Sequence, residues 1–177
     1  GKDPMKTKLA AKAFAAVALA CTALAGCTKP GTAATVNGRP VSEQSVDELA
    51  QQLKENGLDK SLTASGVDIS SRFRLLEFRV TITAVGPAVD KASEKLDASQ
   101  KDQILQQCKK GLNASSDLPS DVQRYCLARA LTSGRPAFQK EISGILADMK
   151  VEYSKRYGVA DKQKGLELPE YLTLRRR

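Results

Sequence analysis

Residues 33–42 read AATVNGRPVS, and this stretch decides how the fold begins. Its first four residues are predicted to form a short strand. Asn37-Gly38 is a two-residue turn signal, because both residues tolerate a positive φ. Arg39-Pro40-Val41 leaves the turn, and Ser42 is predicted to cap a helix by accepting a hydrogen bond from a free backbone N–H. The stretch therefore predicts a strand, a tight turn and a helix start in direct succession.

A first amphipathic helix is predicted after Ser42. Val46, Leu49 and Leu53 recur at helical spacing, with polar residues on the opposite face. Gly57 is expected to end the helix as the C′ residue, a position that favours glycine. The following residues, 58–69, are predicted to be a loop with little regular structure.

A second helix is predicted after a cap at Ser70 or Ser71, and its apolar positions are Phe73, Leu76, Val80 and Ala84. The run Val80–Thr83 has strand propensity because its residues are β-branched. Helix is still favoured, because the 3.6-residue period starts before this run and continues through it. Gly86-Pro87 is expected to break or kink the helix, and residues 88–96 continue its pattern.

The next two helical segments are predicted to form an antiparallel hairpin across the turn-rich connector 113–119. Ser120 is expected to cap the second of them. The apolar face of the first segment consists of Ile104, Leu105, Cys108 and Leu112. The second segment carries Val122, Tyr125, Cys126, Ala130 and Leu131.

The chain is predicted to end with one more helix and a strand. Gly134-Arg135-Pro136 breaks the pattern, and Val151-Glu152-Tyr153 alternates like a strand. The apolar face of the helix between them consists of Phe138, Ile142, Ile145, Leu146 and Met149. The fold class predicted from all these segments is mainly α.

The N-terminal segment has the pattern of a secretory signal. Lysines at positions 6, 8 and 12 precede an apolar run over 13–25 and the sequence Leu24-Ala25-Gly26-Cys27. This end of the run resembles the bacterial lipobox, which implies that Cys27 is lipidated and begins the mature protein. The alternative is an uncleaved membrane anchor, but the run is shorter than the roughly 20 residues that a spanning helix needs.

The chain is therefore divided into four parts. Residues 1–4 precede Met5 and are interpreted as an addition ahead of the natural start. Residues 5–26 are predicted to be the signal peptide, and 27–32 a short tether. Residues 33–177 are predicted to form a single helical domain, in which 159–177 is a candidate flexible tail.

Composition excludes several kinds of chemistry. The chain has no histidine, so Ser-His-Asp and Cys-His machinery and imidazole-based zinc sites cannot be built. The best catalytic candidates would be carboxylates such as Glu77 and Asp90, which are more simply interpreted as solvated charges on helix faces. We therefore expect no catalytic residue, no metal site and no cofactor.

The cysteines divide into two groups. Cys21 would leave with the signal peptide and Cys27 would carry the lipid, so Cys108 and Cys126 remain as a pair in an oxidising compartment. A disulfide between them would stabilise the fold by roughly 3 kcal/mol through loop closure. The alternative is a pair of buried free thiols.

The formal net charge is +8. The terminal Arg175-Arg176-Arg177 could touch anionic lipid or cell-wall polymer, although a solvated chain end is the simpler interpretation. We expect no nucleic-acid partner, because the chain shows no recognised binding motif.

The first predicted strand leads into Val36-Asn37-Gly38-Arg39-Pro40-Val41-Ser42, and the late strand runs into Arg156-Tyr157-Gly158. This order of elements resembles the N-terminal domain of SurA-type periplasmic chaperones and PrsA-type foldase lipoproteins. The resemblance implies that the late strand pairs with the opening strand, giving a small two-stranded β pairing between the N- and C-terminal segments. The chain has no room for the parvulin isomerase domain of full foldases. The resemblance therefore implies a chaperone-like domain without isomerase activity.

The resemblance and the lipobox together predict the function. They imply a non-enzymatic lipoprotein, attached through Cys27 to the extracytoplasmic face of a bacterial membrane, that holds exported polypeptides or an envelope protein partner. Phe73, Phe78 and Phe138 are candidate contacts, although each also fits the core. The alternatives are an accessory subunit of an envelope complex without chaperone activity and a small-ligand-binding lipoprotein.

Overall fold

The structure is a computed structural model that describes residues 31–158 and 163–173. The predicted signal peptide (5–26), the lipidation site Cys27 and the terminal arginines lie outside the described residues. Most of the tether (27–32) lies outside them as well.

Within these ranges the chain is mainly helical, as predicted, with a small antiparallel sheet. The strands are β1 (Thr32–Val36), β2 (Arg39–Ser42), β3 (Lys150–Tyr153) and β4 (Gln163–Lys164). The helices are α1 (Glu43–Glu55), α2 (Leu58–Ala64), α3 (Arg72–Ser93), α4 (Ala98–Gly111), α5 (Ser120–Thr132) and α6 (Pro136–Ala147). Short 3₁₀ turns follow at Lys155–Tyr157 and Glu170–Leu172.

The sheet joins the two ends of the domain. Its strand order is β2-β1-β3-β4, and β1 pairs with β3 so that Ala34 faces Tyr153 and Val36 faces Val151. The predicted pairing between the N- and C-terminal segments is therefore present. The sheet is larger than predicted, because the residues after the turn form β2 and the two-residue β4 adds to β3.

The opening turn and α1 confirm the prediction for this region. Asn37 and Gly38 have φ values of 50° and 80°. The Ser42 side chain accepts a hydrogen bond from the Ser45 backbone N–H at 3.1 Å. Gly57 follows the end of α1 with a φ of 64°, as expected for a C′ glycine.

The predicted loop over 58–69 is wrong in its first half, because Leu58–Ala64 forms α2. Leu58 and Leu62, one helical turn apart, are both fully buried and hold this short helix against the core. Two apolar positions among Ser, Thr, Asp and Lys give too weak a period to identify a helix from sequence.

The central helix α3 contacts α1, α5, α6 and β1. Its β-branched segment is helical as predicted, with Val80 and Ile82 buried. Of the break or kink expected at Gly86-Pro87, the break is wrong, because α3 runs on to Ser93 with Pro87 inside it. Pro87 has no N–H for the carbonyl of Thr83. That carbonyl instead accepts a hydrogen bond from Nη2 of Arg39 at 3.3 Å.

The expected cap at Ser120 is wrong by one residue, because α5 begins at Ser120 and Pro119 occupies the cap position. The carbonyl of Pro119 already accepts the first helical hydrogen bond, from the backbone N–H of Gln123 at 2.9 Å. The Gln123 side chain also donates to the carbonyl of Leu118 at 2.8 Å. These contacts replace a side-chain cap.

The helices α4 and α5 pack against each other, and a disulfide joins Cys108 of α4 to Cys126 of α5 with their Cα atoms 6.0 Å apart. The two helices differ in burial. Cys126 is buried, whereas α4 contains no buried residue. The disulfide therefore adds a covalent link to the packing of the partly buried Ile104 and Leu105 of α4 on the core.

The described part of the candidate flexible tail packs on the domain. Leu172 is fully buried, and its carbonyl accepts a hydrogen bond from the Thr132 hydroxyl at 2.6 Å. The ring of Tyr171 lies about 6 Å from the rings of Phe78 and Tyr125. These contacts close the core at the end of α5.

Candidate functional site

A cavity lies between α1 and the start of α5. It has a volume of about 520 Å³, and we call it the polar cleft. The α1 side is lined by Ser45, Glu48, Leu49, Gln52 and Asn56. The opposite side is lined by Asp117, Leu118, Pro119, Ser120 and Asp121, and Arg79 and Arg124 complete the lining. The volume lies within the range typical of ligand pockets.

An ion pair lines the polar cleft. Nη1 of Arg79 lies 2.6 Å from a carboxylate oxygen of Asp121, whose side chain is only 7% exposed. Nε of Arg79 donates to the Ser45 hydroxyl at 3.0 Å. The pair therefore links α3, α5 and α1, and its two charges neutralise each other.

The polar cleft is also lined by Asn56, which is buried although polar. Its side-chain N–H donates to the backbone carbonyl of Asp117 at 3.3 Å. The Ser116 hydroxyl donates to its amide oxygen. Asn56 thus connects the end of α1 to the connector before α5. This role was not predicted from the sequence, because Asn56 is a polar residue next to the glycine that ends the helix.

The two carboxylates considered as catalytic candidates both form ion pairs. Asp90 receives two hydrogen bonds from Arg124, at 3.2 and 3.0 Å. Glu77 receives one from Arg74 at 2.8 Å. The structure places them in separate pairs, and neither lines the polar cleft.

The three phenylalanines considered as contacts pack on the core. Phe78 is 2% exposed, and its ring lies edge-on to Tyr125. Phe73 is partly buried and packs its ring 5.2 Å from Tyr153. Phe138 is also partly buried against the core. None of the three lines the polar cleft.

A second charged group joins the start of α1 to the turn after β3. We call it the Glu43 cluster; its members are Glu43, Asp47, Arg72, Arg156 and Tyr157. Arg72 and the Tyr157 hydroxyl each donate to the same Glu43 oxygen at 2.7 Å. Arg156 lies 3.1 Å from the other oxygen, and Arg72 also pairs with Asp47. The cluster ties together segments more than 110 residues apart in sequence.

The Glu43 carboxyl is stabilised in its charged form. Burial acts to raise its pKa, but hydrogen bonds from Arg72 and Tyr157 and the charge of Arg156 outweigh burial and lower the pKa below its ordinary value of 4.5. A carboxyl with a lowered pKa stabilises the fold above its unfolded-state pKa, and this contribution is lost as the pH falls through the folded-state pKa.

We therefore expect Glu43→Gln to lower the free energy of unfolding by about 1–2 kcal/mol at neutral pH, because it removes charge-assisted hydrogen bonds. Below pH 4.5 the difference in the free energy of unfolding between this variant and the wild type should become smaller. Urea unfolding at a series of pH values measures both effects. Glu55→Gln, on an exposed position of α1, is the control and should follow the wild-type profile. A constant difference for Glu43→Gln at all pH values would contradict the prediction.

A smaller cavity of about 290 Å³ lies beside the disulfide, and we call it the disulfide cavity. Its apolar walls come from Ile104, Cys108, Gly111, Leu112, Cys126 and Ala130. Its polar lining comes from Ser65, Gln107 and Arg129. It could not be located from sequence, because it forms only where α4 meets α5.

No three Cys, Asp or Glu side chains in 31–158 and 163–173 are grouped closely enough to hold a metal ion. No helix in those ranges has both the length and the apolar character to cross a membrane.

Comparison with known proteins identified no relative: no family model, no curated protein and no solved structure matches this chain.

Proposed function

We propose that this chain is an exported lipoprotein, attached through Cys27 to the extracytoplasmic face of a bacterial membrane, whose helical domain binds a polypeptide segment and catalyses no reaction. The proposal rests on the lipobox-like sequence before Cys27 and on the polar cleft. The polar cleft is the observation that carries the binding role.

The position of Gly31 supports a close tether. Its carbonyl accepts a hydrogen bond from the backbone N–H of Glu43 at 2.8 Å, so the chain is fixed to the start of α1 at this point. Four peptide steps separate residue 31 from Cys27 and span at most about 14 Å. A lipid on Cys27 would therefore hold the start of α1 close to the membrane surface.

The lining of the polar cleft suits a polypeptide backbone. Gln52 makes no side-chain hydrogen bond within the described residues and lies on the exposed side of α1. Its amide can both donate to and accept from a peptide group. Arg79 is neutralised by Asp121, so the cleft does not require a ligand of opposite charge.

The polar lining of the cleft also favours a second candidate function, in which the domain binds one specific protein partner. A chaperone that holds many unfolded clients needs exposed apolar surface, whereas the three candidate phenylalanines pack on the core. A polar cleft is better suited to one matching segment. This observation favours an accessory subunit of an envelope complex.

The test uses the full-length lipidated protein in its native envelope. A photo-crosslinking residue replaces Gln52 in the polar cleft, and the control replaces Lys60, an exposed residue of α2 outside the cleft. Mass spectrometry first measures whether the peptide beginning at Cys27 carries a lipid, and then identifies the crosslinked proteins.

Each outcome has a definite meaning. Many exported proteins crosslinked at position 52 but not at 60 would support a chaperone, whereas one or two at near-equal stoichiometry would support an accessory subunit. Equal crosslinking at both positions would overturn the role of the polar cleft. An unmodified Cys27 would overturn the lipid anchor.

A further inference from the structure

The disulfide cavity is lined by a cation that has no counter-ion among the described residues. Arg129 forms no ion pair with any Asp or Glu of the described residues. Its Nη1 donates to the Tyr125 hydroxyl at 2.9 Å, and its guanidinium lies 5.5 Å from the centre of that ring. Its Nε is buried and has no acceptor in the part of the chain that the structure describes. The side chain is therefore held in place while part of its hydrogen-bonding capacity is unused.

Tyr125 does not supply the missing negative charge. The residue is fully buried, and burial raises the pKa of its phenol, so the phenol is neutral at physiological pH. A partly buried guanidinium beside a neutral phenol retains its full positive charge. Burying a cation without a partner is costly, so an anion that enters the disulfide cavity would be bound favourably.

The walls of the disulfide cavity restrict which anion fits. Ile104, Leu112 and Ala130 present apolar surface beside Arg129. The volume of about 290 Å³ lies near the lower limit of ligand pockets. One guanidinium matches one carboxylate, because its paired N–H groups fit the two carboxylate oxygens. The apolar walls favour an anion that carries apolar surface over a small, fully hydrated inorganic anion.

We propose that the disulfide cavity binds a carboxylate that carries a short apolar group, with the carboxylate on Arg129 and the apolar group against Ile104 and Leu112. This site lies outside the polar cleft and does not depend on the proposed function. A short fatty acid and the C-terminus of a polypeptide ending in an apolar residue share this chemistry.

The test is isothermal titration calorimetry on the full chain with its disulfide intact. The probes are hexanoate and its neutral analogue hexanamide. We expect hexanoate to bind at least about tenfold more tightly, because hydrogen bonds to a charged group are worth more than neutral ones. A tetrapeptide ending in leucine is measured with a free and with an amidated C-terminus, to distinguish the two sources of the carboxylate.

The variants separate the charge of Arg129 from its packing. Arg129→Gln should weaken carboxylate binding at least about tenfold and abolish the preference over the amide. Arg129→Lys keeps the charge and should retain part of that preference. Arg135→Gln makes the same substitution at an exposed position at the start of α6 and should bind as the wild type does. Circular dichroism establishes that each variant is folded.

The comparison of hexanoate with hexanamide needs no variant, so an absent preference overturns the proposal even if Arg129→Gln unfolds. In that case Arg129→Lys replaces it, and a preference that this variant leaves unchanged overturns the proposal. Preference for either carboxylate probe over its amide, lost in Arg129→Gln, supports the site, and the preferred probe identifies the source. Equal binding of acid and amide overturns it. So does the absence of binding by both carboxylates, or a carboxylate preference that Arg129→Gln leaves unchanged.

Discussion

Replacing both Cys108 and Cys126 with alanine is expected to lower the free energy of unfolding by about 3 kcal/mol, the value for closing a loop of this length. The effect should be concentrated in α4, because no residue of this helix is buried and the disulfide is its covalent link to α5. Amide hydrogen exchange should therefore show loss of protection over 98–111 before the rest of the domain opens.

Reduction of the wild-type protein is the matched measurement. Treatment with a thiol reductant should lower its stability to that of the double variant and should leave the double variant unchanged. Equal stability of the variant and the oxidised wild type in urea unfolding would contradict the prediction. It would mean that Leu112 and the other contacts at the end of α4 suffice to hold the helix.

Replacing Arg79 with alanine is expected to cost about 3 kcal/mol. Removing one partner of a buried ion pair usually costs about 3–5 kcal/mol, because the other charge stays buried and uncompensated. The lower end of this range applies here, because the Arg79 side chain is 24% exposed and only that of Asp121, at 7%, is buried. Chemical denaturation measures the difference.

The more exposed pair of Arg74 and Glu77 provides the control, with side chains 53% and 27% exposed. Arg74→Ala should cost much less than Arg79→Ala, because water screens a surface ion pair. The double variant Arg79→Met/Asp121→Leu should recover most of the loss, because it removes both charges and keeps apolar volume. A loss in the double variant as large as in Arg79→Ala would show that the charge of Asp121 is not the cause.

Local patterns were enough to predict much of this fold. The strand before Asn37-Gly38, the cap at Ser42 and the helical state of Val80–Thr83 follow from turn chemistry and periodicity over a few residues, and each is present. Continuation of α3 through Pro87 was not predictable in the same way. The Thr83 carbonyl, which Pro87 leaves without its helical donor, binds Arg39, and Arg39 lies 44 residues away in the sequence.

The sites were less predictable than the elements. The polar cleft needs Arg79 of α3 to meet Asp121 of α5, and the Glu43 cluster needs Arg72 and Tyr157 to meet Glu43. Nothing in the local sequence of a charged residue on a helix reveals which distant carboxylate it will face. Asp90 and Glu77 fitted a description as helix-face charges, but their partners Arg124 and Arg74 emerged only with the packing.

The position of β1 between β2 and β3 has a consequence for the order of folding. β1 can form its hairpin with β2 as soon as residue 42 has been synthesised, but its other edge is complete only when residues 151–153 arrive. Closing that edge spans nearly the whole domain, and such long-range pairing is slow to form. Until then one edge of β1 is open to pairing with other chains. A nascent chain truncated before residue 150 should therefore be more prone to aggregation than the complete domain.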